Sequence, residues 1–480
     1  MDKGFKEFKL DNNILKALKN LGFEEPSEVQ KESIPLLLQN KDIVVKSQTG
    51  SGKTASFGIP ICENIEIEES NVQALIIVPT RELALQIKDD LSNIGRLKKV
   101  RVVAVFGKQS FEEQANELKQ RVHIVVGTPG RVTDHINRGT LQTNNIKFMI
   151  LDEADKMLNM GFVEQIEDIL KEVPSEKVTA LFSATISSEI KNLSKSYMKD
   201  PINLNVVSKV FNRDKICEEI LEVEEKNKFK TLWRSIYAVK PEAAIIFCNT
   251  REKVKEVFLG LKREGFLVEE LHGDMEQKDR LKTMEKLKNK EFNILVATDV
   301  ASRGIHVDHI THVFNYEIPM EKESYIHRIG RTGRGNKAGR AISFVSSKEE
   351  KYIDQIEEYI GYNINKIEDF NDEEVKLGKS EVKKLQKDLL ENKNKVKVNI
   401  HKDVTKIHIS AGKKKKIRNL DVLGAFSHLD NLTAQDVGII DIKDNHSYVD
   451  ILNGKGEELL KKYKEVVVKG KKVRVSKAKN

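Results

Sequence analysis

Apolar, β-branched runs alternate with helical stretches twice over in this 480-residue chain, and that alternation restricts the fold more than any other feature. The first set is DIVVKS (42–47), QALIIVPT (73–80), VRVVAVFG (100–107), VHIVVGTP (122–129), FMILDE (148–153) and TALFSAT (179–185). Strands covered by helices on both faces must be apolar on both faces, so these read as buried strands of a parallel sheet. Intervening stretches such as TRELALQIKDDLSNIG (80–95) carry the 3.6-residue apolar period, which makes the pattern one of repeated βα units. A second set follows: ICEEILEVEE (216–225), EAAIIFCNT (242–250), FLVEELHG (266–273), FNILVATDV (292–300), HVFNYEIP (312–319) and AISFVSS (341–347). Two tandem α/β domains with parallel sheets are therefore expected, over 1–207 and 212–365. A charged connector over 366–403 and a small α+β domain over 404–480 complete the expected organisation.

Composition narrows the class. The hydrophobic share of 39% with 32% charged residues fits a globular chain and excludes wholesale disorder. The sequence has no apolar run long enough to span a bilayer, and MDKGFKEFKL lacks the apolar core of a secretory signal. Cys62, Cys217 and Cys248 are too scattered for a disulfide framework or a zinc site. A cytoplasmic protein with no membrane partner is expected. The net charge of +8 is concentrated at one end, since 404–480 holds 17 Lys and Arg against 9 Asp and Glu. A basic tail on a near-neutral body points to a polyanion bound at the C-terminal end, although solubilising lysines give the same composition.

The chemistry is carried by three clusters. Ser47, Gln48, Thr49, Gly50, Ser51, Gly52, Lys53 and Thr54 lie between a strand and a helix, the context a phosphate-binding loop requires. Glycines there let backbone N–H groups wrap phosphate oxygens at a helix N-terminus. Lys53 would neutralise the β- and γ-phosphates, and the Thr54 hydroxyl would ligate Mg²⁺. About 100 residues later, Asp152 and Glu153 end an apolar strand, where the first can hold the metal and the second can position water as general base. Alone, an acidic pair at a strand end is also what a solvated loop looks like; together with the loop it points to nucleoside triphosphate hydrolysis. Arg331 and Arg334, three apart in HRIGRTGR (327–334), can serve as arginine fingers that stabilise charge in the transition state.

These clusters, in this order, resemble the DEAD-box RNA helicase family. Phe5, then Gly22-Phe23 through Gln30, look like its adenine-sensing Q motif; Pro79-Thr80-Arg81-Glu82-Leu83-Ala84, Thr128-Pro129-Gly130-Arg131, the Asp152–Asp155 quartet and Ser183-Ala184-Thr185 follow in family order. Ile246-Phe247-Cys248-Asn249, Gln277 with Arg280, Ala297-Thr298-Asp299 with Arg303-Gly304, and the run from His327 complete the set. The resemblance implies two RecA-like domains that bind ATP and Mg²⁺. Phe5, Phe23 and Gln30 would form the adenine site. Pro79, Thr80, Arg81, Gly107, Thr128, Gly130, Arg131, Gln277, Arg280 and Thr298 would hold the RNA backbone. Ser183, Thr185, Asp155 and His327 would couple hydrolysis to strand separation. Two residues depart from the family pattern: Lys108 stands where a second glycine is usual, and His306 where aspartate is usual.

The tail patterns VTKIHIS (404–410), LDVLGAFSHL (420–429), VGIIDIKD (437–444), HSYVDIL (446–452), GEELLKKYK (456–464) and VVVKGKKVRVSK (466–477) give the order βαββαβ, a split-βαβ layout shared by many RNA-binding modules. Lys413, Lys414, Lys415 and Lys416 with Arg418 form a candidate phosphate grip, and Tyr448 a candidate stacking ring beside His408 and His446. The segment is similar to the RNA-binding domain of the DbpA subfamily of bacterial helicases. That similarity implies a 23S rRNA hairpin and pre-50S particles as partners and a role in ribosome biogenesis. A monomer is expected. An ATP-gated RNA clamp that unwinds little would share every one of these motifs.

Overall fold

The computed structural model describes residues 4–47, 51–206, 215–302, 310–333, 338–392 and 403–478. Of these, residues 403–478 pack with the first sheet domain into one compact unit, and the described residues between 215 and 392 belong to a second. The expected fold class holds: two parallel-sheet domains and a small antiparallel one.

The first domain is a seven-stranded parallel sheet: β1 (Ile43–Lys46), β2 (Ala74–Ile77), β3 (Val102–Val105), β4 (Ile124–Gly127), β5 (Phe148–Asp152), β6 (Val178–Ser183) and β7 (Ile202–Asn205). Their spatial order is β3-β4-β2-β5-β6-β1-β7. The second domain contains β8 (Ile216–Glu222), β9 (Ala244–Phe247), β10 (Val268–Leu271), β11 (Ile294–Ala297), β12 (His312–Asn315), β13 (Gly339–Val345) and β14 (Asn365–Ile367). Their order is β10-β11-β9-β12-β13-β8-β14, the first order with seven added to every strand. One topology is thus built twice, and each sheet carries apolar layers on both faces.

Strands β7 and β14 go beyond the six expected in each set. Both are short, largely exposed edge strands; β14 has no apolar run, and the alternation Ile202-Asn203-Leu204-Asn205 of β7 spans only four residues. The stretch expected as a connector over 366–403 contains the helix Asp372–Asn392, which lies against the helix Lys228–Val239. Val375 and Val382 are buried in the second domain's core, so this part of the segment is structural. Two valines among many charges suffice, because they project from one side of the helix.

The C-terminal module has five antiparallel strands: β15 (Thr405–Ile409), β16 (Val437–Ile442), β17 (Ser447–Ile451), β18 (Glu465–Val468) and β19 (Lys471–Lys477). They lie in the order β16-β17-β15-β19-β18. The last expected strand is in fact a hairpin. Lys469 and Gly470 both take positive φ (51° and 73°), the conformation a two-residue hairpin turn demands. The helices Asn419–Ser427 and Gly456–Lys462 cover one face, over a core that includes Ile407, Val449, Ile451 and Phe426.

Candidate active site

In doubly wound sheets, ligands sit beyond the C-terminal ends of the strands. The predicted residues of the first domain collect there. Beyond β1, Ser47 is buried and its N–H donates to the Ser183 carbonyl of β6 at 2.9 Å. Gln48, Thr49 and Gly50 lie outside the described residues; Ser51 and Gly52 lead into the helix Lys53–Asn64. Gly52 has φ 93°, and a Cβ there would stand 2.5 Å from the Gln30 Nε2. Only glycine fits that approach.

Gln30 itself is buried, accepting from the Ser27 N–H at 2.9 Å and donating to the Gly52 carbonyl at 3.1 Å. The Q-motif glutamine therefore also braces the phosphate loop, a contact no local pattern announces. Phe5 lies in the core and meets Phe23 edge-on, with centroids 5.7 Å apart. It supports the half-buried Phe23 ring from behind.

Lys53 is buried, with Nζ 3.4 Å from the Ser47 carbonyl oxygen and 3.9 Å from Asp152 Oδ1. Asp152 ends β5, next to β6 in the sheet. Burial pushes its carboxyl up to about 6, with Lys53 pulling the other way and Glu153 adding to the rise. Glu153 takes φ 53° and receives the Lys156 ammonium at 2.7 Å. Asp155 Oδ2 accepts from the N–H groups of Ala184 (3.1 Å) and Thr185 (3.0 Å), and from the Thr185 hydroxyl (3.2 Å). The Asp155 N–H donates to Ser183 Oγ at 3.3 Å. The acid quartet and Ser183–Thr185 are thus directly hydrogen-bonded. A buried amine at Lys53, hard oxygen donors at Thr54 and Asp152, and Gly52 at the head of the helix fit a triphosphate with its magnesium.

The residues expected to hold RNA backbone cluster beyond three adjacent strands, β3, β4 and β2. Thr80 caps the helix Arg81–Ile94 by accepting from the Leu83 N–H at 3.2 Å, and Pro79 precedes it. A Cβ on Gly107, beyond β3, would sit 3.4 Å from an Arg81 guanidinium nitrogen. Thr128, Pro129 and Gly130 follow β4, opening the helix Pro129–Asn137. Arg131 donates to the Gln109 carbonyl (3.1 Å) and Gln114 Oε1 (3.0 Å). Gln114, buried and unremarked in the sequence, also donates to the Phe106 carbonyl at 3.0 Å. It ties the loop after β3 to the arginine after β4.

The second domain repeats the arrangement beyond β10 and β11. Gln277 opens the helix Gln277–Lys288, Arg280 Nη1 reaches the His272 carbonyl oxygen at 3.5 Å, and Thr298 accepts from the Ala301 N–H at 3.4 Å. His327 is exposed, whereas Arg331 is 5% exposed. Arg334 and His306 lie outside the described residues. The dominant feature is Arg328, 1% exposed and given no role by sequence reasoning. Its Nε and Nη2 each donate to an Asp299 oxygen at 2.6 Å, Nη1 to the Glu317 carbonyl at 2.6 Å, and Nη2 to Asn249 Oδ1 at 2.7 Å. One guanidinium fastens the chain beyond β11, β12 and β9.

Comparison with known proteins decides the family. Residues 27–193 match the DEAD/DEAH box helicase model, 227–336 the helicase conserved C-terminal domain, and 406–477 the DbpA RNA binding domain. The chain is 49% identical over 474 residues to the ATP-dependent RNA helicase DbpA of Bacillus subtilis, covering 99% of each. It is a DEAD-box RNA helicase of the DbpA subfamily. The DEAD-box helicase CshA of Geobacillus kaustophilus is 47% identical over 353 residues, 74% of this chain and 76% of that one. That match leaves about a quarter of this chain uncovered, whereas the match to DbpA spans 99% of it. Among solved structures, S. cerevisiae Dbp5 bound to RNA and ADP BeF3 superposes with a TM-score of 0.70 at 30% identity, covering 80% of this chain and 100% of that one. As a DEAD-box helicase, the protein hydrolyses ATP and acts on RNA. No helix among the described residues is long and apolar enough to cross a membrane.

Proposed function

We propose that this helicase separates short RNA duplexes locally, at a hairpin of 23S rRNA in pre-50S particles, acting as a cytoplasmic monomer in ribosome biogenesis. The observation that carries the address is the C-terminal module. It matches the DbpA RNA binding domain over 406–477, and it exposes four consecutive lysines at one turn. Phosphate and sugar contacts position RNA without reading its sequence, whereas a folded module can read unpaired bases.

In this reading Lys53 and Thr54 hold the β- and γ-phosphates with Mg²⁺, and Asp152 completes the metal's ligands. Glu153 orients the attacking water, and Arg331 with Arg334 stabilises the charge that develops on the γ-phosphoryl group. Phe23 and Gln30 select adenine. Thr80, Arg81, Gly107, Thr128, Gly130 and Arg131, with Gln277, Arg280 and Thr298, grip one RNA strand. Ser183 and Thr185, hydrogen-bonded to Asp155, pass the state of the nucleotide to that grip.

The test compares RNA-stimulated ATPase activity of the full chain and a chain ending at residue 403, using the hairpin and a scrambled RNA of equal length. Both proteins should be stimulated, and the preference for the hairpin should belong to the full chain. Equal preference in the two would place specificity in the helicase core.

A further inference from the structure

The C-terminal module resembles a single-strand RNA platform, yet the open face of its sheet carries acids. Tyr448 on β17 lies directly across from Asp441 on β16 and from His408 on β15. Asp450, two residues along the same strand, shares that face, because its neighbours Val449 and Ile451 point into the core. Asp450 is 4% exposed.

What covers these carboxylates is the first helicase domain. Arg96, just past the helix Arg81–Ile94, makes a two-pronged pair with Asp450, Nε and Nη2 each at 3.1 Å. Arg101, just before β3, donates to Asp441 Oδ1 at 2.9 Å and to the Ile440 carbonyl at 3.1 Å. The Gln120 amide faces the Ile442 peptide group as a strand rung would, 3.4 Å to its carbonyl oxygen and 3.5 Å to its nitrogen. Lys443 pairs with Glu117 at 2.7 Å, and Lys16 with Asp403 at 3.0 Å. Beside the ion pairs, Ala17 and Leu97 of the helicase domain pack against Val404 and Leu452 of the module.

β16 is an edge strand, and an uncovered edge exposes unpaired backbone groups. Here the helicase domain supplies their partners. We propose that the first helicase domain carries a docking site for the C-terminal module, built from Arg96, Arg101 and Gln120, which takes the module by its β16 edge and the acidic half of its open sheet face. Two features give the site its specificity. Bidentate guanidinium–carboxylate pairing fixes orientation as well as charge. The alternative occupant of such a face, an RNA strand, brings phosphates toward Asp441 and Asp450 and is repelled. The docking residues stand at the entry end of β3, whereas Gly107 of the proposed RNA grip stands at its exit. Docking therefore engages the end of β3 opposite the proposed grip and fixes the module on the first helicase domain.

Hydrogen–deuterium exchange of the full chain, without nucleotide or RNA, tests this. R96E/R101E should speed exchange of the peptide containing Ile442 by about tenfold or more, as removal of local protection does. Peptides containing Ile407 and Val449 should exchange as in the parent, which verifies that the module stays folded. D441R/D450R should have the same effect, and combining all four substitutions should return exchange to about the parental rate, since the charges are then swapped across one interface. Parental exchange in R96E/R101E, or a fourfold variant as fast as either double variant, would overturn the docking site.

Discussion

Single residues set the chemistry at the phosphate loop, and Asp152 is the clearest case. Its carboxyl, raised to about 6 chiefly by burial, would have to be ionised to ligate Mg²⁺ as proposed, so proton and metal would compete for the same oxygens. Because the protonated form gains as pH falls through about 6, apparent Mg²⁺ affinity in ATPase assays should be flat above pH 7 and weaken about tenfold per unit well below pH 6. An affinity independent of pH between 5 and 7 would remove Asp152 from the metal site. Lys53→Ala should abolish hydrolysis in steady-state assays, and circular dichroism should show a folded chain. Lys108 is a different kind of residue-scale departure. It is exposed and takes φ 59°, a conformation that costs a side chain roughly 1–2 kcal/mol. Lys108→Gly restores the family's residue and relieves that strain, against roughly 0.5–1 kcal/mol of extra unfolded-state entropy. Stability measured by urea unfolding should therefore stay level or rise by up to about 1 kcal/mol. RNA affinity should fall if the lysine contacts phosphate.

Elements were legible in the sequence wherever burial imposed a period. The twelve long apolar runs became strands because each is covered on both faces, and the βα alternation fixed their parallel pairing. β7 and β14 escaped because they are largely exposed and too short to show a period, and the β18–β19 hairpin escaped because Lys-Gly is a less familiar turn than Asn-Gly. The site divides the same way. Lys53, Asp152 and Glu153 were readable from local context. Gln30 bracing Gly52, Gln114 bridging two loops and Arg328 clamping three strand ends depend on contacts between distant segments, which periodicity does not encode. Arg328 makes the sharpest prediction at this scale. Arg328→Ala leaves Asp299, Asn249 and the Glu317 carbonyl without the group that joins them. Breaking a buried pair of this kind costs roughly 3–5 kcal/mol. The loss should appear in thermal unfolding as destabilisation of the second domain, and Asp299→Ala in the same background should add far less than it does alone.

At the scale of the whole molecule, one topology serves two purposes because it occurs twice. In the first copy the ends of β1 and β5 carry the phosphate loop and the acid pair, while the ends of β2, β3 and β4 carry the candidate RNA grip. The second copy has its candidate grip residues beyond β10 and β11, and its β8 is followed by no glycine-rich loop. Only the first copy carries the phosphate loop, so the candidate grip occurs twice and the hydrolytic site once. Backbone grips are indifferent to sequence, so the proposed address is sought in the third module, where lysines are concentrated at one turn. Lys413–Lys416 are exposed at a turn joined through backbone hydrogen bonds to the β16–β17 hairpin, and the Lys469 and Lys471 side chains reach carbonyls of the same turn. Replacing Lys413–Lys416 with glutamine should weaken hairpin binding and flatten its dependence on salt. The slope of log K against log salt should fall by about 0.7 for each single-strand phosphate that is no longer neutralised. Fluorescence anisotropy across a salt series measures that slope directly. A weakened affinity with an unchanged slope would mean that the lysines shape the turn without touching phosphate. Tyr448→Ala, on the sheet face turned to the helicase domain, should change binding little, whereas a loss of about 1–3 kcal/mol would show that a base stacks on that ring.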